Sequence, residues 1–223
     1  MEALYPSKAF YTAHRQGKSY VQQLQTLKWP LQTSEGQSIT KYKPLEHEHQ
    51  QIEMKENGVY MITGAFGGIG IELGRYLSAT KNIHLVLVGR DIDSEDPDVI
   101  SDVREKVVRN RQYMEEMKEK GIDVVCMQSD VSQNHEMQEV FIEIKDRFGR
   151  LDGIFHCAGV AGDGFLIRKE EADFEHEVGA KILGTQLLDY YSKDFHMDFF
   201  LMFSSFTSLL GIPGQGGYIA ANS

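Results

Sequence analysis

The sequence predicts an α/β fold built on a doubly wound parallel sheet. From Gly58 onward, short apolar segments typical of strands alternate with longer segments that have a helical period. Parallel neighbours need crossover connections, and the helices in those crossovers cover both faces of the sheet. A glycine-rich turn also joins the first of these strands to the first helix. Together these observations predict a Rossmann-like sheet.

The expected elements follow one another closely along the chain. Strands are expected at 59–63, 83–88, 123–128, 153–157 and 199–204. Helices are expected from the glycine turn to residue 79, at 99–120, up to residue 148, and at 175–191. Gly121 follows the second helix, where a glycine commonly ends one.

The first part of the chain differs in composition from the rest. Residues 1–53 are polar, rich in Gln and His, and contain the only Trp. Short strands are expected at 19–21 and 24–29, and a linker at 34–50. We therefore expect a linker with a partial N-terminal structural subdomain over 1–53, and a nucleotide-binding catalytic domain over 54–223.

Composition excludes several classes of function. The formal net charge of −10 opposes binding to nucleic acid. No apolar stretch approaches the roughly 20 residues that a membrane span needs, and the N-terminus lacks a signal-peptide core. Cys126 and Cys157 lie in apolar runs and are expected to be buried thiols in a reducing, cytoplasmic environment. The histidines are scattered, so no metal site is expected.

The glycine-rich turn is the first candidate site. It reads TGAFGGIG and lies between a strand and a helix. Glycines let a backbone approach a pyrophosphate closely, and a helix N-terminus favours an anion. Its candidate cofactor-binding residues are Thr63, Gly64, Phe66, Gly67, Gly68, Ile69 and Gly70. Dinucleotide binding is favoured over a purely structural turn.

Arg90 closes the second strand, twenty positions after Gly70. NAD-selective enzymes usually carry an acidic residue there, whereas a guanidinium suits a 2′-phosphate. The sequence therefore favours NADP over NAD. The neighbouring Asp91 weakens this preference, and a solvated arginine is the alternative.

Further residues carry a family resemblance. Asp130-Val131, Ala158-Gly159, Ser205 and Tyr218, thirteen residues after Ser205, resemble the short-chain dehydrogenase/reductases. That family usually places a lysine four residues after the tyrosine, but Asn222 stands there and Lys181 lies on the preceding helix. This exchange, and the phrase FSSFTSLLGIPGQGGYIAAN, are similar to ketoreductase domains of modular polyketide synthases and related peptide synthetases. The stretch 15–21 resembles the tail of the structural subdomain that precedes such domains.

The resemblance implies a role for each residue of this set. Tyr218 would be the acid, and the Lys181 ammonium would lower its pKa from the free value of about 10. Ser205 would donate to the carbonyl oxygen, and Asn222 would orient Lys181 or a proton-relay water. Asp130, Val131, Ala158 and Gly159 would bind the cofactor, which is expected to be NADPH. Taken singly, these residue types are more often packing, capping or solvated side chains.

The resemblance also implies a substrate. It would be a β-ketoacyl thioester on the phosphopantetheine arm of an acyl carrier protein, with neighbouring synthase domains as partners. An α-ketoacyl group is the alternative in hybrid peptide synthetase modules. Asp163 favours a D-configured product, although a turn residue is its alternative role, and Leu210 replaces the tryptophan that marks the L type.

The family pattern extends past Ser223. We therefore expect the catalytic domain to be incomplete at its C-terminus, in which case the chain alone need not be active. A non-catalytic structural fragment of the synthase is a second hypothesis. A free-standing reductase or epimerase is a third, and the spacing of Tyr218 and Asn222 disfavours it.

Overall fold

The computed structural model describes residues 12–15, 18–21, 53–80, 82–90, 92, 101–162 and 164–223. The chain divides into two units, Met1–Gln50 and Gln51–Ser223. In the first, β1 (Thr12–Arg15) pairs antiparallel with β2 (Lys18–Val21). The strand expected at 19–21 is thus confirmed, whereas the strand expected at 24–29 and the linker at 34–50 lie outside the described residues.

The second unit alternates strands and helices as the sequence predicts. Its strands are β3 (Val59–Thr63), β4 (His84–Gly89), β5 (Asp123–Gln128), β6 (Gly153–His156) and β7 (Phe199–Met202). Its helices are α1 (Gly68–Thr80), α2 (Ser101–Glu119), α3 (Asn134–Phe148), α4 (Glu171–Ser192), α5 (Thr207–Leu210) and α6 (Gly216–Asn222). A 3₁₀ turn spans Leu166–Arg168, just before α4.

The five strands form one parallel sheet in the order β5-β4-β3-β6-β7. Alternate side chains of β3 enter two separate cores. Tyr60 and Ile62 pack with residues of α1 and α2, whereas Met61 packs with residues of α3 and α4. Because helices cover both faces, the predicted doubly wound α/β fold is confirmed.

Three local expectations need correction. Helix α4 begins at Glu171, before the predicted residue 175, because the acidic Glu171 and Asp173 suit the positive end of the helix dipole. Strand β7 ends at Met202, before the predicted residue 204, and the Ser204 hydroxyl bonds to α6 instead. The expectation that Cys126 is buried is wrong, because it is exposed on β5, an edge strand.

The strand order reverses between β3 and β6. Successive strands run from β3 through β4 to β5 on one side, and from β6 to β7 on the other. The loops that leave β3 and β6 therefore diverge at the carboxyl edge of the sheet and open a crevice, which is where doubly wound folds bind ligands. Across the described part of the chain, we find no helix with the length and apolar character of a membrane span.

Candidate functional site

A cavity of about 460 Å³ lies at the carboxyl edge of the sheet. Loops that follow β3, β4, β5 and β6 line it, together with the first half of α4. Among the residues predicted to bind a cofactor, it is lined by Gly64, Phe66, Gly67, Arg90, Asp130, Val131, Ala158 and Gly159. The structure thus brings most of the predicted cofactor residues around one cavity.

The turn after β3 is shaped by close backbone packing. Gly64 has φ +65°, and a Cβ atom there would lie 2.6 Å from the backbone nitrogen of Ala158. Only glycine satisfies both conditions. Gly68, Ile69 and Gly70 do not line the cavity but form the first turn of α1, where backbone N–H groups lack helical partners. A backbone cradle joined to a helix N-terminus fits a dinucleotide pyrophosphate.

Thr63 lies beneath the turn rather than in the cavity. It is fully buried, and its Oγ1 lies 2.7 Å from Nδ1 of His156, at the end of β6. The other ring nitrogen of His156, Nε2, lies 3.1 Å from the carbonyl oxygen of Ala180. Because a carbonyl oxygen only accepts, Nε2 carries the proton and Nδ1 accepts from the Thr63 hydroxyl.

His156 is held neutral in this position. Burial, and then the charge of Lys181, lower the pKa of His156 to about 4. The imidazole joins the glycine-rich turn to the α4 residue that precedes Lys181. Our sequence reasoning missed this residue, although a histidine ending an apolar strand was a visible signal.

Basic side chains gather at the β4 end of the cavity. Arg90 lines it, with a half-exposed side chain whose Nη1 lies 3.9 Å from Oδ2 of Asp130. Lys106 of α2 also lines it, and Arg109 donates to the carbonyl oxygen of Phe66 at 3.0 Å. This end of the cavity therefore suits an additional phosphate. The sequence did not indicate Lys106 or Arg109, because only the packing of α2 brings them to the turn.

Asp130 fixes the loop that follows β5. Its Oδ1 accepts from the backbone nitrogen of Ser132 at 2.9 Å and from the Ser132 hydroxyl at 2.7 Å. Its own backbone nitrogen donates to Oε2 of Glu136 at 2.6 Å. The neighbouring Val131 is buried with α3 and α4. These contacts hold the loop open along the cavity wall.

Lys181 lies beside the cavity, close to Gly159. Its Nζ donates to the carbonyl oxygen of Phe203, just after β7, at 2.5 Å. Burial lowers the pKa of Lys181. A Cβ atom at Gly159 would lie 3.1 Å from Cε of Lys181. The ammonium is therefore placed between the end of β6 and the end of β7.

The other three predicted catalytic residues surround the same short segment, 203–205. Ser205 belongs to it, and its Oγ lies 2.9 Å from Oγ1 of Thr207. The Ser204 hydroxyl donates to the carbonyl oxygen of Asn222 at 2.5 Å. The Asn222 amide donates in turn to the carbonyl oxygen of the half-buried Tyr218 at 2.8 Å. Among the described residues, Asn222 thus bonds to the tyrosine backbone and not to Lys181.

The structure divides the predicted site into two parts. None of Lys181, Ser205, Tyr218 and Asn222 lines the cavity, but all four gather at the same edge of the sheet. Leu210, assigned to stereocontrol, is an exposed residue at the end of α5. Asp163, assigned to the same role, lies outside the described residues.

Known proteins are similar to this chain in sequence and in fold. A family model described as the KR domain matches residues 58–223. Polyketide synthase PksN of Bacillus subtilis (strain 168) is 36% identical over 169 residues, which are 75% of this chain and 3% of that synthase. This chain therefore spans only a small part of that relative's length.

Solved structures agree with the sequence matches. A ketoreductase domain from the bacillaene assembly line is 30% identical with a TM-score of 0.70, over 95% of this chain and 43% of that one. An alcohol dehydrogenase of the archaeon Thermococcus sibiricus, complexed with 5-hydroxy-NADP, is 26% identical with a TM-score of 0.60, over 74% of this chain and 65% of that one.

The family model covers most of the chain, and the relatives and the fold agree with it. The chain therefore belongs to the KR domain family, the ketoreductases of polyketide synthases.

Proposed function

We propose that the chain reduces a carrier-bound β-ketoacyl thioester to the β-hydroxyacyl thioester, with NADPH as the reductant. The observation that supports this most strongly is the gathering of four predicted catalytic residues around the segment 203–205, through side-chain and backbone hydrogen bonds. Lys181 bonds to Phe203, and Asn222 bonds to Ser204 and to the backbone of Tyr218. Ser205 completes the set within the segment itself. A purely structural fragment has no need of all four.

The cavity supports NADPH as the cofactor. Gly64 and the start of α1 would hold the pyrophosphate, and Arg90, with Lys106 beside the same cavity, would hold a 2′-phosphate. When bound, the reduced nicotinamide supplies a hydride to the substrate carbonyl carbon. The relative complexed with an NADP derivative supports the same choice.

The remaining chemistry belongs to side chains of this chain. The Tyr218 hydroxyl would give its proton to the substrate oxygen, and the Ser205 hydroxyl would donate a hydrogen bond to that oxygen. The Lys181 ammonium would stabilise the phenolate left on Tyr218. Asn222 would fix the Tyr218 backbone through the hydrogen bond to its carbonyl oxygen.

The family supports the proposed substrate and partners. Its relatives are polyketide synthases, so we infer a β-ketoacyl group on the phosphopantetheine of an acyl carrier protein, and neighbouring synthase domains. We infer a D-configured product from Asp163. We also propose that 54–223 is the catalytic domain and 1–53 a linker with part of a structural subdomain.

The direct test follows NADPH absorbance in the protein that carries this chain, with a small β-ketoacyl thioester. We expect Tyr218→Phe to lower kcat by about 100-fold or more with the NADPH dissociation constant unchanged, since a positioned acid contributes on that order. Tyr190→Phe is the matched control, because Tyr190 is an exposed tyrosine of α4 that does not line the cavity, and we expect this variant to turn over like wild type.

The other outcomes separate the alternatives. A wild type that reduces only α-keto thioesters would contradict the β-keto substrate and favour the hybrid-synthetase alternative. A wild type that does not bind NADPH would contradict the proposed enzymatic function and favour a structural fragment of the synthase.

A further inference from the structure

A buried ion pair lies beside the start of α6, and the proposed reaction does not use it. Nζ of Lys169 contacts Oε1 of Glu177, and the two side chains are 5% and 8% exposed. Lys169 directly follows the 3₁₀ turn, and Glu177 lies in the second turn of α4. The pair therefore ties the segment that leads from β6 to the helix that carries Lys181.

Such a pair is a poor source of stability. Removing two charges from water costs about as much as their attraction returns, so apolar residues of similar volume often serve equally well. Truncating one partner is costly, however, because it leaves the other charge buried and unpaired. The ion pair is therefore better explained by a role in positioning the surrounding backbone than by a contribution to stability.

The carboxylate of Glu177 lies directly against the backbone next to Tyr218. A Cβ atom at Gly217 would lie 1.9 Å from Oε2 of Glu177, and one at Gly162 would lie 2.5 Å from the same atom. Glycine at both positions lets the carboxylate fit between the loop after β6 and the first turn of α6. Gly217 is buried, and it immediately precedes Tyr218.

Oε2 itself is buried and has no hydrogen-bond partner among the described residues. The Glu177 carboxylate is therefore anchored through Oε1 alone, by Lys169. Loss of the Lys169 cation would free the carboxylate to move, and the backbone of Gly217 lies within contact distance of it.

We propose that Lys169 and Glu177 form a positioning pair that sets the place of Tyr218 through contact with Gly217. This inference rests on the proposed function, in which Tyr218 donates the proton. Neither Lys169 nor Glu177 lines the cavity. Lys169 holds the Glu177 carboxylate, the carboxylate supports the first turn of α6, and that turn carries the Tyr218 hydroxyl.

The inference predicts a specific kinetic pattern. Glu177→Gln keeps the shape of the side chain but removes the charge that holds Lys169, and Lys169→Met removes the anchor. Both variants should lower kcat by about 10- to 100-fold, because a displacement of about 1 Å costs on that order. The NADPH dissociation constant should stay within about twofold of wild type, because neither residue lines the cavity.

A conservative variant and a matched control complete the measurement. Lys169→Arg keeps a cation against Glu177 and should restore most of the turnover. Asp189→Asn makes the same carboxylate-to-amide change on α4, in an exposed pair with Lys193, and should leave kcat unchanged. If Glu177→Gln and Lys169→Met both turn over like wild type, the positioning pair is wrong. The same holds if kcat and NADPH affinity fall together.

Gly217→Ala gives a second test that leaves both charges of the pair in place. Gly217→Ala should lower kcat, because its Cβ would displace the Glu177 carboxylate. Glu177→Ala removes that carboxylate, so adding Gly217→Ala to it should cost little more. If the losses in kcat from Gly217→Ala and Glu177→Ala multiply in the double variant, as they do for independent sites, the contact between the two residues is contradicted.

Failure of this inference can be told apart from failure of the proposed function. A protein that reduces no ketoacyl thioester, or that keeps its turnover in Tyr218→Phe, contradicts the proposed function. A protein that is active and depends on Tyr218, yet does not respond to changes in the pair, contradicts the positioning pair alone.

Discussion

Nδ1 of His156 lies 2.7 Å from Oγ1 of Thr63, at the end of two neighbouring parallel strands. Through this hydrogen bond and the one from Nε2 to the Ala180 carbonyl, a single neutral imidazole joins the glycine-rich turn to α4. Lys181 follows Ala180 directly. The cavity and Lys181 therefore share one buried support.

This support should make stability depend on pH. Burial and the Lys181 charge lower the pKa of His156 from 6.5 to about 4, so the folded state favours the neutral ring. The contribution of the neutral His156 ring to the free energy of unfolding is complete above pH 6.5. It is lost as the pH falls toward 4, by about 3 kcal/mol in total.

Urea unfolding at pH 7 and at pH 4.5 tests this prediction. The free energy of unfolding of wild type should exceed that of His156→Gln at pH 7, and the gap should narrow at pH 4.5. If the difference in free energy of unfolding between wild type and variant does not change with pH, the pKa of the ring is the same in the folded and unfolded states.

Gly64→Ala should damage the turn directly. The residue would carry a positive φ, and its Cβ would meet the Ala158 backbone at 2.6 Å, so we expect a loss of about 1–3 kcal/mol in stability and weaker NADPH binding. Gly68→Ala is the stability control, because a Cβ there meets nothing within 4 Å. Equal unfolding midpoints for the two variants would contradict the packing described.

Arg90→Ala should change cofactor preference. A guanidinium on a 2′-phosphate is a charge-assisted contact, so its loss should weaken NADPH binding by about 10- to 100-fold and leave NADH binding nearly unchanged. Titration calorimetry with both cofactors measures this. Arg147→Ala, an exposed arginine paired with Asp123, is the control. Equal losses for NADPH and NADH would contradict a role at the 2′-phosphate.

Lys181 should limit turnover on the alkaline side. Burial lowers its pKa, so the ammonium loses its proton at a lower pH than an ordinary lysine. We expect kcat to fall as the pH rises through that lowered pKa, and Lys181→Arg, which stays protonated, to move the alkaline limb upward in pH. If the pH at which kcat falls does not move in Lys181→Arg, the group that titrates there is not Lys181.

Much of the fold, and the grouping of the predicted cofactor residues around one cavity, could be predicted from the sequence because both depend on local patterns. The β3, glycine turn and α1 succession is contiguous, Arg90 directly follows β4, and Asp130 lies two residues after β5. Parallel strands bring such residues to one edge whatever the details of packing.

The residues that sequence reasoning missed depend on packing across the fold. His156 acts through Thr63 and Ala180, and Lys106 reaches the cavity from α2. The Lys169 and Glu177 pair depends on how the segment before α4 folds back against that helix. Cys126 was misjudged because an apolar run does not tell a central strand from an edge strand.

We propose that this site transfers hydride from NADPH to a carrier-type ketoacyl thioester. The most direct measurement incubates the protein that carries this chain with NADPH deuterated at C4 of the nicotinamide and a β-ketoacyl pantetheine thioester. Mass spectrometry should find one deuterium on the β-carbon of a hydroxyacyl product, and none with Tyr218→Phe within the same time. NADPH binding without deuterated product, in wild type as in the variant, would contradict the account.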